Sequence, residues 1–346
     1  MAEKKTITVF GGTGFIGRNL IAKLAKKGFR IIVPTRNPYL HGYLKPMGEP
    51  GQIEVLKFNP FDFSNLNEFI KSSEIVINCI GVLYEKKNQK FDHTHHLFPK
   101  FLTSILDKEV TKKFIHISAL GANKNSNSLY IKSKFQGEEA VINNFKNSII
   151  VRPSIVFGTN DNFFNLFNKL INLLPVIPLA GAKTKFQPCY VGDVTDAIIA
   201  IIELVNPNKV YELGGPKIYT FKELIETLLF SLKKKRFIIE LPDFVARAQA
   251  KIMQLLPNPL LTDDQLEILK SDNICSNEYP GFKELGISTR TVEIVLPNPL
   301  LTEDQLEILK SDNICSNEYP GFKELGISTR TVETVLPNYI FSQVIR

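Results

Sequence analysis

Tyr130 and Lys134, in the run Tyr130-Ile131-Lys132-Ser133-Lys134, stand at i and i+4, the spacing that puts a phenol and an ammonium on one face of a helix. A nearby cation favours the phenolate, so the tyrosine is placed to act as general acid or base while the lysine also holds a nicotinamide ribose. Ser118, at the end of an apolar run, is suited to orient a substrate carbonyl. A second kind of chemistry is written near the start of the chain, in Gly11-Gly12-Thr13-Gly14-Phe15-Ile16-Gly17. These residues follow the apolar run Ile7 to Phe10 and open a periodic stretch reaching about Lys27, which reads as strand, tight turn and helix. A turn without side chains lets backbone amides approach a pyrophosphate, and the positive end of the helix faces its charge. Gly11, Thr13, Gly14, Phe15, Ile16 and Gly17 are therefore candidate dinucleotide contacts, although the spacing is G-x-x-G-x-x-G and not G-x-G-x-x-G.

Other candidates follow from where such a fold carries its ligand. Arg36 lies just past the second apolar run, where an acidic residue would accept from a ribose 2′-hydroxyl and an arginine suits a 2′-phosphate. The choice favours NADP(H), with NAD(H) as the alternative. Asn59 or Asp62 could reach the adenine edge, and Asn78, Ile80 and Gly81 end the fourth run where backbone would pass close to the cofactor. Pro153, after the sixth run, completes the cofactor-binding set. Asp92-His93-Thr94-His95-His96 invites a metal reading, but with no carboxylate or cysteine at ligand spacing these histidines are expected to be solvent-exposed and no metal is expected.

The elements that must position these residues alternate. Strand candidates are Thr6 to Phe10, Arg30 to Pro34, Ile53 to Phe58, Ile75 to Ile80, Lys113 to Ser118 and Ser148 to Arg152. Helical patterns lie between them at about Phe15 to Lys27, Asn65 to Ser72, His96 to Lys108 and Leu129 to Phe145. Ile- and Val-rich strands with helical crossovers predict an α/β fold, a doubly wound parallel sheet of the Rossmann type with its ligand at the carboxyl ends of the strands. Residues 1–155 form the predicted dinucleotide-binding domain, completed by about 186–215, where Lys209 to Leu213 is a further strand candidate. Residues 156–185 and 216–346 are predicted to make a smaller mixed C-terminal lobe.

That lobe contains a tandem duplication. Leu256 to Val295 recurs as Leu296 to Val335, differing only at Asp263 against Glu303 and Ile294 against Thr334. Thr262-Asp263-Asp264-Gln265 and its copy Thr302-Glu303-Asp304-Gln305 read as capping boxes ahead of a short helix. Leu285-Gly286-Ile287 reads as a helix stop, with another helix at about Thr289 to Val295. A solenoid needs three or more units. One copy is therefore expected to take the native packing site, the other to be peripheral or to displace its twin.

Composition narrows the class. The chain has 346 residues, 44% of them hydrophobic and 22% charged, which is the make-up of a globular protein and excludes disordered and fibrous classes. Its four cysteines form no C-x-x-C pair, which fits a reducing compartment and neither a disulfide framework nor a zinc site. The first strand begins by about Thr6, leaving no room for a targeting sequence, and the longest apolar stretch, Leu170 to Ala182, is broken by two prolines. A cytoplasmic protein without a transmembrane segment is expected. The net charge of +7 suits a phosphate-rich ligand, an anionic membrane surface or an acidic partner, and its densest basic run is Lys233 to Arg236. No aromatic residues interleave a basic stripe, so nucleic acid is not an expected partner.

Taken together, the glycine turn, Tyr130-x-x-x-Lys134, Arg152-Pro153 with Phe157-Gly158, and Val191-Gly192-Asp193-Val194 resemble the extended or atypical short-chain dehydrogenase/reductase superfamily. The segments IIVPTR, LKPMGEPGQ, VINCIG, KFIHISALGAN, YIKSKFQGEE, VRPSIVFGTNDNF and QPCYVGDV resemble one branch of it, the nucleotide-binding accessory subunit of respiratory complex I and its bacterial relatives. The resemblance runs from about residue 6 to residue 295. It implies a tightly bound NADPH held by the Gly11 to Gly17 loop and Arg36, and complex I subunits as partners. It also implies a structural, assembly or redox-sensing role near the membrane, including peripheral contact with the cytoplasmic face of the inner membrane, in which catalytic turnover is not expected. The alternative is a free NAD(P)-dependent oxidoreductase, epimerase or dehydratase using Tyr130, Lys134 and Ser118.

Overall fold

A computed structural model describes residues 5–60, 62–86, 89–254, 259 and 261–296. Seven strands form one sheet: β1 (Thr6–Phe10), β2 (Arg30–Thr35), β3 (Ile53–Lys57), β4 (Ile75–Asn78), β5 (Lys113–Ile117), β6 (Ser148–Pro153) and the strand Val210–Leu213. Their spatial order is Val210–Leu213, β6, β5, β4, β1, β2, β3, and every pairing is parallel. The order reverses at β1, which pairs with β2 on one side and β4 on the other, so the crevice for a ligand opens above its carboxyl end.

Burial explains why these segments became strands. All five residues of β1 and all four of β4 are buried, as parallel strands covered on both faces must be. One face packs Ile7, Val9, Ile31, Val33, Ile115 and Val151 against Leu20, Ile21 and Leu24 of helix α1 (Phe15–Lys26) and against Val194, Ala197, Ile198 and Ile201 of helix Val191–Glu203. The other packs Phe10, Ile32, Val76, Phe114 and Ile150 against α2 (Leu66–Ile70), α3 (Phe98–Ser104) and Val141 of α4 (Leu129–Asn144). The predicted helix at His96 to Lys108 begins earlier, as a π-helical turn over Asp92–Leu97 that runs into α3.

A second core gathers Phe157, Phe164, Ile177, Phe186, Tyr219, Phe221, Leu224 and Val292. It is bounded by helix Phe163–Leu173, by helix Phe221–Ser231 with its Thr220/Glu223 capping box, and by strands Val176–Leu179 and Phe237–Glu240, which pair in parallel.

The first copy of the duplicated segment packs against both cores: Phe282 belongs to the sheet's core and Val292 to the second. Thr262 and Gln265 form the capping box of helix Asp263–Ile268. Gly286 closes a turn in the left-handed region (φ 71°), with no helix before it, and the following helix is the short Val292–Val295. The second copy beyond Leu296, with Cys315 and the Thr302 to Gln305 capping box, lies outside the described residues.

Candidate functional site

The glycine turn is shaped by close approach. Gly11 has φ 74°, and a Cβ there would stand 2.8 Å from the carbonyl carbon of Cys79 and 2.9 Å from the amide of Ile80, at the end of β4. A Cβ on Gly17 would lie 2.3 Å from the Gly11 carbonyl oxygen, so only glycine lets α1 begin directly under the turn. At Gly14 a Cβ would meet just the Gly11 oxygen at 3.1 Å, leaving the third side of the turn open. Gly14 is also the N-cap of α1 and no side chain caps it, while Phe15, Ile16 and Gly17 of the first turn are not themselves among the residues that line the crevice. This uncapped helix end behind a side-chain-free turn fits a dinucleotide pyrophosphate.

A cleft of about 210 Å³, open to solvent, runs over the carboxyl ends of β1, β2 and β4. Gly11, Thr13, Gly14, Arg36, Ile80 and Gly81 line it together, with Pro34, Thr35, Phe58, Pro60, Cys79, Gln89, His93, Thr94 and Phe98. The Arg36 side chain is exposed at the end above β2. Asn59 and Asp62 are not among the lining residues, and their neighbours Phe58 and Pro60 take that wall. The Asp62 carboxylate instead accepts from the Ser64 amide at 3.0 Å, and hydrogen bonding to the Ser64 side chain first and to that amide second holds it below the usual carboxylate range. Pro153 is buried at the end of β6, where its carbonyl accepts from Leu120, and it too is absent from the lining.

Gly81 links this cleft to the second set of residues. A Cβ on it would be 3.2 Å from Lys134 Nζ, so the ammonium sits beside the cleft floor. Lys134 is 4% exposed, donates to the Ile117 carbonyl at 3.2 Å, and has its Nζ 5.9 Å from the Tyr130 ring centroid. Burial pulls its pKa down to about 8. Ser118 is buried at the end of β5, and its hydroxyl has no hydrogen-bond partner among the described residues. A buried hydroxyl in that state is poised for a ligand carbonyl.

The phenolate expected at Tyr130 is not favoured by these surroundings. Burial first, and the carboxylate of Asp264 second, push the phenol up to about 12. Asp264 comes from the first duplicated copy. Its carboxylate accepts from Ser128 Oγ at 2.9 Å, from the Leu129 amide at 2.5 Å and from the Tyr130 amide at 3.2 Å, the first turn of α4. The Thr262/Gln265 capping box around Asp264 is legible in the sequence, but the reach of the Asp264 carboxylate across more than a hundred residues to the tyrosine helix is not.

His95 corrects a further expectation, since it is fully buried. Its Nε2 accepts from the Val82 amide at 3.0 Å, so Nδ1 carries the proton and donates to Ser133 Oγ at 2.9 Å, which in turn donates to the Tyr130 carbonyl at 2.7 Å. Below it, Asn78 accepts from the Ile80 amide and donates to Nδ1 of buried His116 at 3.1 Å. Burial, with Lys134 nearby, pulls His95 down to about 2 and His116 to about 3, so both are neutral. Phe91, His95, Phe98 and Leu102 recur at helical spacing, the signal that could have revealed a buried histidine. His93 and His96 are half-buried, with His96 paired to Asp92.

Other motif residues carry structure. Arg152 is held by Glu138 at 2.6 Å and lies 3.5 Å from Glu212, whose carboxylate also accepts from Ser276 of the first copy. Asp193 accepts from the Arg290 amide at 2.7 Å, and the Arg290 guanidinium stacks 4.8 Å over the Tyr190 ring.

A seven-stranded parallel sheet with an uncapped, glycine-built helix entry at its switch point is a Rossmann-type dinucleotide-binding fold. The chain belongs to the NAD dependent epimerase/dehydratase family, whose model matches residues 7–214. Among curated relatives, it is 36% identical over 296 residues to the mitochondrial NADH dehydrogenase [ubiquinone] 1 alpha subcomplex subunit 9 of Arabidopsis thaliana, covering 81% of this chain and 73% of the relative. It is 30% identical over 284 residues to the mitochondrial NADH-ubiquinone oxidoreductase 40 kDa subunit of Neurospora crassa, covering 82% and 75%. Among solved structures, an NADPH-dependent quinone oxidoreductase of Escherichia coli complexed with NADPH superposes with a TM-score of 0.65 at 19% identity, covering 84% of this chain and 98% of that one. This last likeness concerns the fold.

Proposed function

We propose that this protein is a nucleotide-binding accessory protein of NADH:ubiquinone oxidoreductase, holding NADP(H) for a structural, assembly or redox-sensing purpose. The carrying observation is the likeness to complex I subunits across four-fifths of the chain. The Gly11 to Gly17 turn and its cleft support nucleotide binding, and Arg36 at the ribose end supports NADP(H) over NAD(H). Burial first, and the Asp264 carboxylate on the first turn of α4 second, oppose the phenolate that a general base at Tyr130 would use, which supports retention over oxidative turnover. The domain division runs at 1–155, completed by about 186–215, with the remainder as the second lobe. We place the protein at the cytoplasmic face of the membrane that carries the complex; among the described residues no helix is long and apolar enough to cross it.

The unpartnered Ser118 hydroxyl and the adjacency of Lys134 to Tyr130 favour one competing reading, a free NAD(P)-dependent oxidoreductase, epimerase or dehydratase. One purification separates the two. The expected outcome is NADPH bound at about one per chain, co-purification with complex I subunits that is lost on Arg36→Ala, and no nucleotide oxidation when carbonyl substrates are offered. Turnover abolished by Tyr130→Phe would reject the accessory role.

A further inference from the structure

The site that receives the first copy of the duplicated segment is filled by side chains that the chain carries twice. Asp264 accepts from the Leu129 and Tyr130 amides, Asn273 accepts from Ser154 at 2.6 Å and donates to the Leu120 carbonyl at 3.2 Å, and Ser276 donates to Glu212 at 2.9 Å. Phe282 is buried in the sheet's core, Val292 in the second core, and the Arg290 amide donates to Asp193 at 2.7 Å. Each recurs in the second copy, as Asp304, Asn313, Ser316, Phe322, Arg330 and Val332. The described packing ends at Leu296, which is buried in the second core and is itself the first residue of the second copy. Leu336, opening the third Leu-Pro-Asn, supplies the same side chain one repeat later. Neither difference between the copies falls on a buried position. Asp263 is half-buried in the first turn of helix Asp263–Ile268, where Glu303 brings the same charge, and Ile294, which becomes Thr334, is 66% exposed.

We propose that residues 302–336 are a second occupant of this site, exchanging with residues 262–296 within one chain. Side-chain contacts are then equal in the two packings, and what separates them is chain entropy. With the first copy seated, the connection from helix Asp243–Met253 runs through residues 255–261; with the second it runs through 255–301, about seven times longer. Closing the longer connection favours the first copy by on the order of tenfold, which makes the second the minor occupant of an otherwise indifferent site. Whichever is seated, an aspartate, Asp264 or Asp304, meets the first turn of α4, so the surroundings of Tyr130 survive the exchange. The inference does not rest on the accessory role, since it concerns only how the chain packs on itself.

The test marks each copy with one substitution. Phe282→Ser, Phe322→Ser and the double variant are made in the full chain, and each is followed by urea unfolding and by iodoacetamide labelling of Cys275 and Cys315. In the single variants the substitution gives the two cysteine peptides different masses. Burial pushes the Cys275 thiol up to about 11, so a seated copy labels slowly and a displaced one fast. Phe322→Ser should leave both stability and the slow labelling of Cys275 unchanged. Phe282→Ser should lower the folding constant by no more than about tenfold, because the second copy takes the site, with Cys315 now the slow thiol. The double variant should lose at least about a hundredfold. Exchange would be refuted if Phe282→Ser were as damaging as the double variant, or if Cys315 still labelled fast in it. A Phe282→Ser chain that keeps its stability only as a dimer would mean that the site is filled from a second chain, and would equally overturn exchange within one.

Discussion

The cofactor end and the tyrosine pocket lie on either side of Gly81, yet they are built in opposite ways. The cofactor end is local: one turn of seven residues, Gly11 to Gly17, creates the uncapped helix entry and its open face, and Arg36 follows one strand later. The tyrosine pocket is assembled from distant pieces. Lys134 leans on the Ile117 carbonyl of β5, His95 reaches Ser133, and the first turn of α4 is held by Asp264. The difference teaches that in this chain the glycine turn is shaped by its neighbours in sequence, whereas the surroundings of Tyr130 are set by separate parts of the polypeptide.

The sharpest way to break that comparison is at Gly17. Gly17→Val should destabilise the protein by about 3 kcal/mol and abolish NADPH binding, read by thermal unfolding and nucleotide retention. Near-wild-type behaviour would mean that the turn is not the close-packed element described. The pocket should dominate acid sensitivity. His95 and His116 are neutral when folded and ionise below their ordinary value of 6.5 when unfolded, so the unfolded chain binds more protons there. Stability should fall as pH drops below about 6.5 towards 3, by about 1 kcal/mol per pH unit for each histidine. Urea titrations along that range should show the slope roughly halved by His116→Gln, and an unchanged slope would refute the assignment.

Smaller effects sharpen the contrast. Arg36→Ala should weaken NADPH about tenfold or more while leaving NADH almost unaffected and the melting temperature of the nucleotide-free protein unchanged, the mark of an exposed side chain acting on a phosphate. Asp264→Ala should cost about 1 kcal/mol through the Leu129 and Tyr130 amides it leaves without their acceptor and lower the Tyr130 pKa, with NADPH affinity retained. Ultraviolet titration of the phenol would expose a contrary result. Smallest of all, deleting the second copy, residues 296–335, should move the thermal midpoint by less than about 2 °C; a larger drop would mean that it too packs into the fold.

Much of this was legible in the chain itself. β1 emerged with its predicted bounds, and the other six strands of the sheet within two residues, because buried parallel strands are continuous apolar runs. The glycine turn was legible for the same reason, since its chemistry depends on neighbours in sequence. His95 was not: its run of polar residues reads as surface, and only the packing of Phe91 and Phe98 on the same face carries it inside. The raised phenol pKa of Tyr130 is not legible in the sequence, because the spacing to Lys134 is visible there while burial and Asp264 are not.

The sequence by itself determined the doubly wound sheet, the nucleotide turn, the Tyr130 and Lys134 pairing on one face and the duplication. All of these rest on periods and spacings within a few tens of residues. Only the tertiary structure decided how that pair is charged, which histidines are buried, that Phe58 and Pro60 replace Asn59 and Asp62 on the cleft wall, and that Asp264 of the first copy caps the tyrosine helix. Charge state and burial depend on everything that surrounds a group in space, and in this fold those surroundings come from other elements, from Ser133 beside His95 to Asp264 on the tyrosine helix.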